Sequence, residues 1–595
     1  MLNRQPGWAT VNRRFRIAIL CFYSSAIAAS VATPPPNAQM HVQVTMRDGV
    51  RLDTNIFHTR AAGRAAAILF RTPYRKGNNL PPGYGLFVDR GFVVVTQDVR
   101  GRGLSEGIFD SLHHEGEDGY DTIEWIARQP WSNGRVGMTG GSYRGIVQWK
   151  AAVLDNPHLK AICPVVSGWN DYTDRFYSRG GALKLEHRLV WLGENMPAPG
   201  FRPPPLASFI YHVPLRTIDR SATGHTIEFY QHVLDHPAYD SFWKNLSVRE
   251  KIDRVTAAAF IVGGWYDNYV ESDLDAFSAL RRNGTPARVV IGPWAHNMSF
   301  HFRGASFGEK AWAPIRSWQA DWLEEWLNPS EGKPPSAAPV RIFVMGANRW
   351  RDEEEWPLKR TCYRQLYLAS GGHANTAAGD GELLWSGSGA SSYDRFLYDP
   401  RKPVPTTGGS ICCDPNVLPW GPMDQSAIER RHDVLVYTGE PLRNELEVTG
   451  TVRADLWVST DGRDTDFTTK LVDVSPDGET RNVVDGMLRL RYREGLDKTE
   501  LARPGEVYPI SIDVGVTSYV FLAEHRLRVE ISGSNFPRFD RNPNTGRPIA
   551  DETVFRPAEN TVLHGSQFPS HLLLPVIEGG GSSCPAELAS HLARR

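Results

Sequence analysis

The feature that most constrains the fold is a serine framed by glycines between a predicted strand and a predicted helix. The strand ends at Thr139, the turn reads Gly140-Gly141-Ser142-Tyr143-Arg144-Gly145, and a helical pattern follows. Glycines permit the strained backbone of such a turn, and the helix N-terminus presents unpaired N–H groups to a developing negative charge. A Gly-Ser turn can also be an inert helix cap, and the closing glycine lies one residue later than in G-x-S-x-G. The turn therefore predicts a nucleophile at Ser142 only together with its context.

That context is a series of short apolar runs that alternate with helical stretches. The runs cover residues 65–70, 92–97 and 134–139, and the pattern returns at 257–262 and 287–291. Strands separated by helices favour a mostly parallel sheet that is covered on both faces. Two earlier strands, either side of the Asp48-Gly49 turn, predict a hairpin. The fold class predicted for this half of the chain is α/β.

Two further polar side chains stand where predicted strands end. Asp267 follows the strand over 258–262, and His296 follows the strand over 287–291. A serine nucleophile needs a base to take its proton, and the base needs a carboxylate to hold its tautomer. The order Ser142, Asp267, His296 is the order of the α/β hydrolases, and all three fall at the carboxyl edge of the sheet. We therefore predict a catalytic triad on an α/β-hydrolase core.

An oxyanion hole needs two hydrogen-bond donors about 3 Å from the developing charge. The backbone N–H of Tyr143, the residue after the nucleophile, is the first candidate. The second should come from the loop after an earlier strand, where Arg71-Thr72-Pro73-Tyr74 follows residues 65–70. We predict that Tyr74 acts there through its hydroxyl or its backbone. The alternative is that Tyr74 is a packed loop aromatic.

At 595 residues the chain exceeds a single hydrophobic core, which usually stops growing at roughly 250–300 residues. Residues 168–255 are aromatic and helical, which predicts a cap over the site or, alternatively, a helical decoration elsewhere. After about residue 350 many short strands favour a β-sandwich of the jelly-roll type. The predicted domains are the first part of the core at 41–167, the cap at 168–255, the second part of the core at 256–350 and the β-sandwich at 351–595.

The N-terminus has the three-part layout of a secretory signal peptide. Arg13, Arg14 and Arg16 precede an apolar run over 17–29 with a small-residue exit at Ala26-Ile27-Ala28, and a second cleavage position follows Ala32. We predict a signal peptide over 1–32 and a secreted or periplasmic protein without a stable membrane span after cleavage. An amphipathic or buried first helix is the alternative.

Charge and cysteine content bear on the partners, on metal binding and on disulfides. Sixty-six basic against 67 acidic residues leave a formal net charge of −1, which favours neither nucleic acid nor an anionic membrane. No complete ligand set stands at metal-binding spacing, so we predict no metal and no cofactor. Among six cysteines, Cys163 lies in an apolar run and is predicted to be a buried free thiol. One or two disulfides are open among the cysteines of the later part, which are Cys362, Cys412, Cys413 and Cys584.

The mature chain resembles the CocE/NonD family of serine hydrolases, which includes cocaine esterase, α-amino acid ester hydrolases and relatives of X-prolyl dipeptidyl peptidases. The resemblance implies an α/β-hydrolase core, a helical cap, a C-terminal jelly roll, a triad of serine, aspartate and histidine, and a Tyr74 hydroxyl that assists the oxyanion. Its motifs run collinearly along the chain as Asp48-Gly49-Val50-Arg51-Leu52, Arg71-Thr72-Pro73-Tyr74, Asp98-Val99-Arg100-Gly101-Arg102-Gly103, Gly-x-Ser-Tyr-x-Gly, Gly264-Trp265-Tyr266-Asp267, Gly292-Pro293-Trp294-x-His296, Asp433-Val434-Leu435-Val436-Tyr437 and Ser534-Asn535-Phe536-Pro537-Arg538-Phe539-Asp540.

The resemblance also bears on the substrate. Family members that act on α-amino acyl groups carry carboxylates just after the catalytic aspartate, whereas this chain has Asn268, Tyr269 and Val270 there, with Glu271 and Asp273 beyond. This weakens the amino-ester interpretation, because an ammonium pocket needs charge inside the cleft. Tyr269, and Trp191 in the cap, make the chain similar to cocaine esterase. Aromatic walls suit a flat apolar group, although packing of cap against core is the alternative.

We therefore expect a hydrolase that cleaves a carboxylic ester, or an amide, of a small molecule through an acyl-enzyme on Ser142. The alternatives are an α-amino acid ester hydrolase or acylase and an X-prolyl dipeptidyl peptidase. A different class of function is a non-catalytic protein that binds a ligand such as carbohydrate on its β-sandwich. The oligomeric state stays open.

Overall fold

The computed structural model describes residues 38–59, 63–329, 337–387, 390–412 and 414–578. The predicted signal peptide, residues 1–32, lies outside these ranges, so export stays a prediction. Within them, no helix combines the length and the apolar character needed to cross a membrane.

A ten-stranded sheet forms the centre of the first half of the chain. Its strand order is β1-β2-β4-β3-β5-β6-β7-β8-β11-β12, with parallel pairing from β4 through β11 and antiparallel strands at both edges; β9 and β10 form a separate small ladder. The strands are β1 (Ala38–Thr45), β2 (Arg51–Phe57), β3 (Ala65–Thr72), β4 (Val93–Asp98), β5 (Ser132–Gly141), β6 (Leu159–Val165), β7 (Ala258–Tyr266), β8 (Ala287–Ala295), β9 (His301–Phe302), β10 (Ala305–Ser306), β11 (Val340–Val344) and β12 (Arg349–Glu353).

The central strands have nearly continuous apolar sequences because both of their faces are covered. Every residue of β4 and of β7 is buried. A parallel sheet needs helical crossovers, and the crossover helices shield its two faces. The helices of this half, in chain order, are α1 (Gly85–Asp89), α2 (Glu115–Ala127), α3 (Tyr143–Ala152), α4 (Leu185–Asn195), α5 (Ile218–Thr223), α6 (Glu228–Asp235), α7 (Ser241–Leu246), α8 (Val270–Arg282) and α9 (Ile315–Leu327).

Helices α4 to α7 lie in the long connection between β6 and β7. The segment also contains one turn of π-helix at Asp171–Phe176, where the side chain of Asn170 accepts hydrogen bonds from the first backbone N–H groups. Trp191 of α4 reaches the loop that carries Tyr74, with its indole nitrogen 3.2 Å from the tyrosine hydroxyl. This part of the helical connection therefore packs over the loop after β3.

The second half of the chain is rich in strands. Eleven strands of the described part form one hydrogen-bonded sheet in the order β15-β22-β17-β23-β13-β14-β16-β21-β18-β19, with β20 also paired to β17. They are β13 (Thr361–Ala369), β14 (Glu382–Leu384), β15 (Ser392–Tyr398), β16 (Val434–Gly439), β17 (Leu446–Thr460), β18 (Asp466–Val474), β19 (Thr480–Arg489), β20 (Tyr508–Phe521), β21 (Arg526–Ser532), β22 (Ala558–His564) and β23 (His571–Ile577). The α/β-hydrolase core with a strand-rich C-terminal domain is confirmed, and the jelly-roll form stays a prediction.

The C-terminal domain holds the start of the cap. The backbone N–H groups of Leu185 and Glu186, in the first turn of α4, donate to the carbonyls of Arg538 and Pro537 at 3.0 Å. These N–H groups have no acceptor within their own helix, so the neighbouring domain satisfies them. Nearby, the side chain of Asp540 accepts from the N–H of Leu183 at 2.7 Å. The strand-rich domain thus positions α4, which in turn contacts the loop of Tyr74.

The cysteines of the described residues are of two kinds, free and disulfide-bonded. Cys163 is a buried free thiol, as predicted, and burial raises its pKa. Cys362 and Cys412 are both disulfide-bonded. Cys413 and Cys584 lie outside the described residues, so the pairing stays open.

Candidate active site

Ser142 stands at the turn between β5 and α3 with a strained backbone. Its φ is +57° and its ψ is −127°, a conformation that a residue with a side chain rarely adopts. The late closing glycine has a packing reason, because a Cβ on Gly145 would lie 2.5 Å from the Cβ of Ser167. That contact brings α3 close to the segment after β6, and the N–H of Ser142 donates to Val165 at 2.9 Å. The strain and the close packing project the serine from the edge of the sheet.

The structure brings the three predicted triad residues together. His296 Nε2 lies 3.0 Å from Ser142 Oγ, and His296 Nδ1 lies 2.6 Å from Asp267 Oδ2. The other carboxylate oxygen of Asp267 accepts from the N–H of Tyr269 at 3.0 Å. Asp267 is fully buried, so bulk water does not screen its interaction with the imidazole that it orients. This chain of contacts allows the histidine to take a proton from the serine.

Tyr74 and Tyr143 both lie beside the serine, in different ways. The ring of Tyr74 is 6.5 Å from that of Tyr143, and Trp191 donates to its hydroxyl oxygen. Tyr143 opens α3, so its backbone N–H belongs to the helix N-terminus. Its own hydroxyl donates to Glu115 at 2.7 Å and accepts from the N–H of Leu112. The side chain of Tyr143 is thus occupied, and its backbone N–H and the Tyr74 O–H stay the predicted donors to the oxyanion.

Arg102 holds the loop of Tyr74, a role that the sequence did not reveal. Its guanidinium donates to the carbonyl of Pro73 at 2.8 Å and to the carbonyl of Asn195, at the end of α4, at 2.6 Å. One side chain therefore ties the loop after β3 to the cap. The sequence motif that could have pointed to this role runs from Asp98 to Gly103. Gly103 has a φ of +58°, and a Cβ at that position would clash with the side chain of Asp98.

Two cavities meet at the serine. The large cavity has a volume of about 820 Å³, and its lining includes Ser142, His296, Arg144 and Arg316. The small cavity has a volume of about 20 Å³ and also has Ser142 in its lining. Its walls are Tyr74, Ser111, Leu112, Ser142, Tyr143, Ile146, Arg175, His187, Arg188, Trp191 and Tyr269. His296 lines the large cavity and is absent from these walls.

Both aromatic residues predicted for the substrate pocket line the small cavity. Trp191 stacks on Tyr143 with ring centroids 6.0 Å apart, and Tyr269 lies 5.6 Å from the ring of His296. The carboxylates that follow Asp267 point elsewhere. Glu271 pairs with Arg179 at 2.9 Å, and Asp273 accepts from the N–H of Gly168 at 3.1 Å. The small cavity accordingly has aromatic walls and no carboxylate on its lining.

The sequence analysis missed the polar part of the small cavity. His187 and Arg188, from the first turns of α4, are buried against it. Burial together with nearby cations lowers the pKa of His187 well below its ordinary value, so the ring is neutral. A helical pattern in the sequence does not reveal which side chains of a cap helix face the core. Across the described residues, no group of three or more His, Cys, Asp or Glu is placed to hold a metal ion.

Comparison with known proteins places the chain among serine hydrolases and peptidases. A family model described as X-Pro dipeptidyl-peptidase (S15 family) matches residues 48–298, and one for the X-Pro dipeptidyl-peptidase C-terminal non-catalytic domain matches 335–573. The chain is 39% identical over 566 residues to a cocaine esterase of Rhodococcus sp. (strain MB1 Bresler), a match that covers 90% of this chain and 98% of the esterase.

Two solved structures resemble nearly the whole molecule. An aminopeptidase from a Thaumarchaeota archaeon matches with a TM-score of 0.81 at 25% identity, over 93% of this chain and 99% of that one. An α-amino acid ester hydrolase matches with a TM-score of 0.79 at 25% identity, over the same shares of the two chains. The arrangement of core, cap and strand-rich domain is therefore shared across these enzymes.

Proposed function

This chain belongs to the CocE/NonD family of serine hydrolases and is a carboxylic-ester hydrolase, and we propose that it acts outside the cytoplasm through an acyl-enzyme on Ser142. The observation that carries the proposal is the placement of His296, 3.0 Å from the serine hydroxyl and 2.6 Å from the buried carboxylate of Asp267. A neutral histidine in this position accepts the serine proton, and the carboxylate stabilises the imidazolium that forms.

The reaction follows from this geometry. Ser142 Oγ attacks the ester carbonyl as His296 takes its proton, and the oxyanion receives hydrogen bonds from Tyr74 and from the N–H of Tyr143. His296 then gives the proton to the leaving alcohol, which departs. Water enters and attacks the acyl carbon as it loses a proton to the same histidine, which then returns that proton to Ser142 Oγ as the acid leaves. Asp267 holds the imidazole orientation through both halves.

The alcohol and the acyl group of the substrate are assigned to different cavities. The leaving-group oxygen must lie next to His296, which lines the large cavity, so we assign the alcohol to that side. The acyl group then occupies the small cavity, beside Tyr74 and the N-terminus of α3. The size difference favours a compact acyl group on a larger alcohol.

A second candidate is the hydrolysis of α-amino acid esters, which the similarity to a solved enzyme of that name favours. It would require a carboxylate near the acyl group to hold the ammonium. Glu271 is already paired with Arg179, and the small cavity contains cationic side chains. The simple ester is therefore the better match to the site.

One preparation of the enzyme separates the candidates. We would compare kcat/KM for acetyl and benzoyl esters, for glycine esters, and for dipeptide amides with proline in the second position. The proposal predicts the highest values for esters without an ammonium group. Cleavage confined to the proline amides would replace it with a peptidase function.

Export rests on the basic, apolar and small-residue pattern of residues 13–28. The test is N-terminal sequencing of the protein recovered from the medium or the periplasm of an expressing bacterium. A new N-terminus after Ala28 or Ala32 supports export, and an intact N-terminus found only in the cytoplasm contradicts it.

A further inference from the structure

Arg188 is a buried cation with no acid to balance it. Its side chain lines the small cavity together with Ser142 and Tyr74, and the residue is only 6% exposed. Its guanidinium contacts are one nitrogen on His187 Nε2 and the faces of the Phe176 and Trp191 rings, 4.9 and 5.8 Å from its carbon. The Nε atom has no hydrogen-bond partner among the described residues. Nor does any ion pair join Arg188 to a carboxylate in the described ranges.

A neighbouring arginine, Arg175, has the carboxylate partner that Arg188 lacks among the described residues. Arg175 lines the same cavity, and its guanidinium pairs with Asp171 at 2.6 Å. The carboxyl next to Arg188 in sequence, Glu186, does not supply the same balance. Burial raises the pKa of Glu186 to about 8, so this side chain is neutral at pH 7. Arg188 therefore keeps its charge without a protein counterion.

Such an arrangement costs stability unless a ligand completes it. An unpaired buried charge is costly, and buried charges are normally paired or functional. Burial lowers the pKa of Arg188 to about 10, which still leaves it charged at neutral pH. Two aromatic faces offset part of the cost through cation–π contacts. The remaining donors of the guanidinium suit a planar anion such as a carboxylate.

His187 adds a second donor. Arginine can only donate, so His187 Nε2 must accept the hydrogen bond from Arg188. The proton of the neutral ring is therefore on Nδ1, and that buried atom has no partner among the described residues. The walls of the small cavity, which include Ser142, thus carry an unbalanced guanidinium and a neutral histidine with an unused N–H.

We propose that the small cavity binds an acyl group that carries its own carboxylate, with Arg188 and His187 as its hydrogen-bond donors. The substrate class is the half-ester of a short dicarboxylic acid, and the inference rests on the proposed function. The bond between Ser142 Oγ and the ester carbonyl carbon forms, the bond to the alcohol oxygen breaks, and His296 protonates the alcohol. Water then attacks the acyl carbon while His296 takes its proton. The bond from that carbon to Ser142 Oγ breaks, His296 returns the proton to Oγ, and the dicarboxylate leaves with its second carboxylate unchanged.

The test compares matched pairs of substrates. Monomethyl malonate, succinate and glutarate are each paired with the ester whose free carboxylate is replaced by a neutral carboxamide, and methanol release gives kcat/KM. We expect the wild type to favour the acid of at least one pair by about tenfold or more. Arg188→Gln should reduce that ratio by about tenfold or more. Arg128→Gln changes an exposed arginine that directly follows α2 and should leave the ratio unchanged.

The outcomes separate the two proposals. If neither acids, carboxamides nor simple esters are cleaved, the proposed ester hydrolysis itself is wrong. If neutral esters are cleaved while the acid-to-carboxamide ratio is near one, or stays the same in Arg188→Gln, the anion subsite is wrong. Should Arg188→Gln not fold, competitive inhibition of the wild type decides. Succinate must then inhibit neutral ester hydrolysis at least about tenfold more tightly than succinamide, the neutral diamide, and equal inhibition overturns the inference.

Discussion

The indole N–H of Trp191 donates to the hydroxyl oxygen of Tyr74 over 3.2 Å. Because that oxygen accepts from the cap, the proton of the Tyr74 hydroxyl is free to be donated elsewhere. The oxyanion of the tetrahedral intermediate is the acceptor that the site offers. This contact also links the position of the cap to the electrostatics of the chemical step.

Replacing Tyr74 by phenylalanine should therefore slow the chemical step. Loss of one oxyanion donor typically lowers kcat by about 10²- to 10³-fold, and KM for an acetyl ester should change little. Tyr143→Phe is the matched control, because it removes a hydroxyl nearby and keeps the backbone N–H. Steady-state kinetics of both variants check this, and a larger loss in Tyr143→Phe than in Tyr74→Phe would contradict the assignment.

Asp267→Asn should leave the fold intact and lower kcat by about 10⁴-fold, as the same change does in a serine protease triad. The amide can donate to His296 Nδ1, which favours the tautomer that cannot accept the serine proton. The effect should appear in kcat at every pH from 6 to 9. Retention of more than about a tenth of the wild-type kcat would show that another residue orients the histidine.

Gly145→Ala tests the packing reason for the unusual glycine spacing. Its Cβ would lie 2.5 Å from the Cβ of Ser167, and such overpacking costs about 1–3 kcal/mol. We expect a lower Tm and lower activity, since Ser142 would have to shift. Gly85→Ala, where a Cβ meets nothing within 4 Å, is the control and should not lower the Tm. Equal melting temperatures for the two variants would contradict this account.

Glu186 should make the protein less stable as the pH rises. Its pKa is about 8 in the folded protein against an ordinary value of 4.5. The folded state keeps a proton that the unfolded state loses, so this contribution is complete below pH 4.5 and disappears as the pH rises through about 8. Relative to Glu186→Gln, the wild type should lose up to about 1.4 kcal/mol of unfolding free energy per pH unit between pH 5 and 8. Denaturant titrations across this range measure it, and parallel curves would disprove it.

The sequence predicted the parts of the site that depend on local pattern. Ser142, Asp267 and His296 each follow an apolar strand, so their convergence at one sheet edge could be inferred from strand ends and chain order. Arg102 and Arg188 could not be found in this way, because their contacts join the core to the cap. The cap itself is positioned by carbonyls of residues 537 and 538, far away in the chain. Such contacts depend on how separate units of the chain pack together, and a local sequence pattern carries no information about that packing.

The most direct test of the central claim is covalent labelling of the intact protein with a fluorophosphonate, followed by peptide mass spectrometry. We predict one modified residue, Ser142, with loss of ester hydrolysis in proportion to the label. The Ser142→Ala variant should take no label and hydrolyse 4-nitrophenyl acetate at no more than about 10⁻³ of the wild-type rate. Label on another residue, or a Ser142→Ala variant with wild-type activity, would contradict the assignment of Ser142 as the nucleophile.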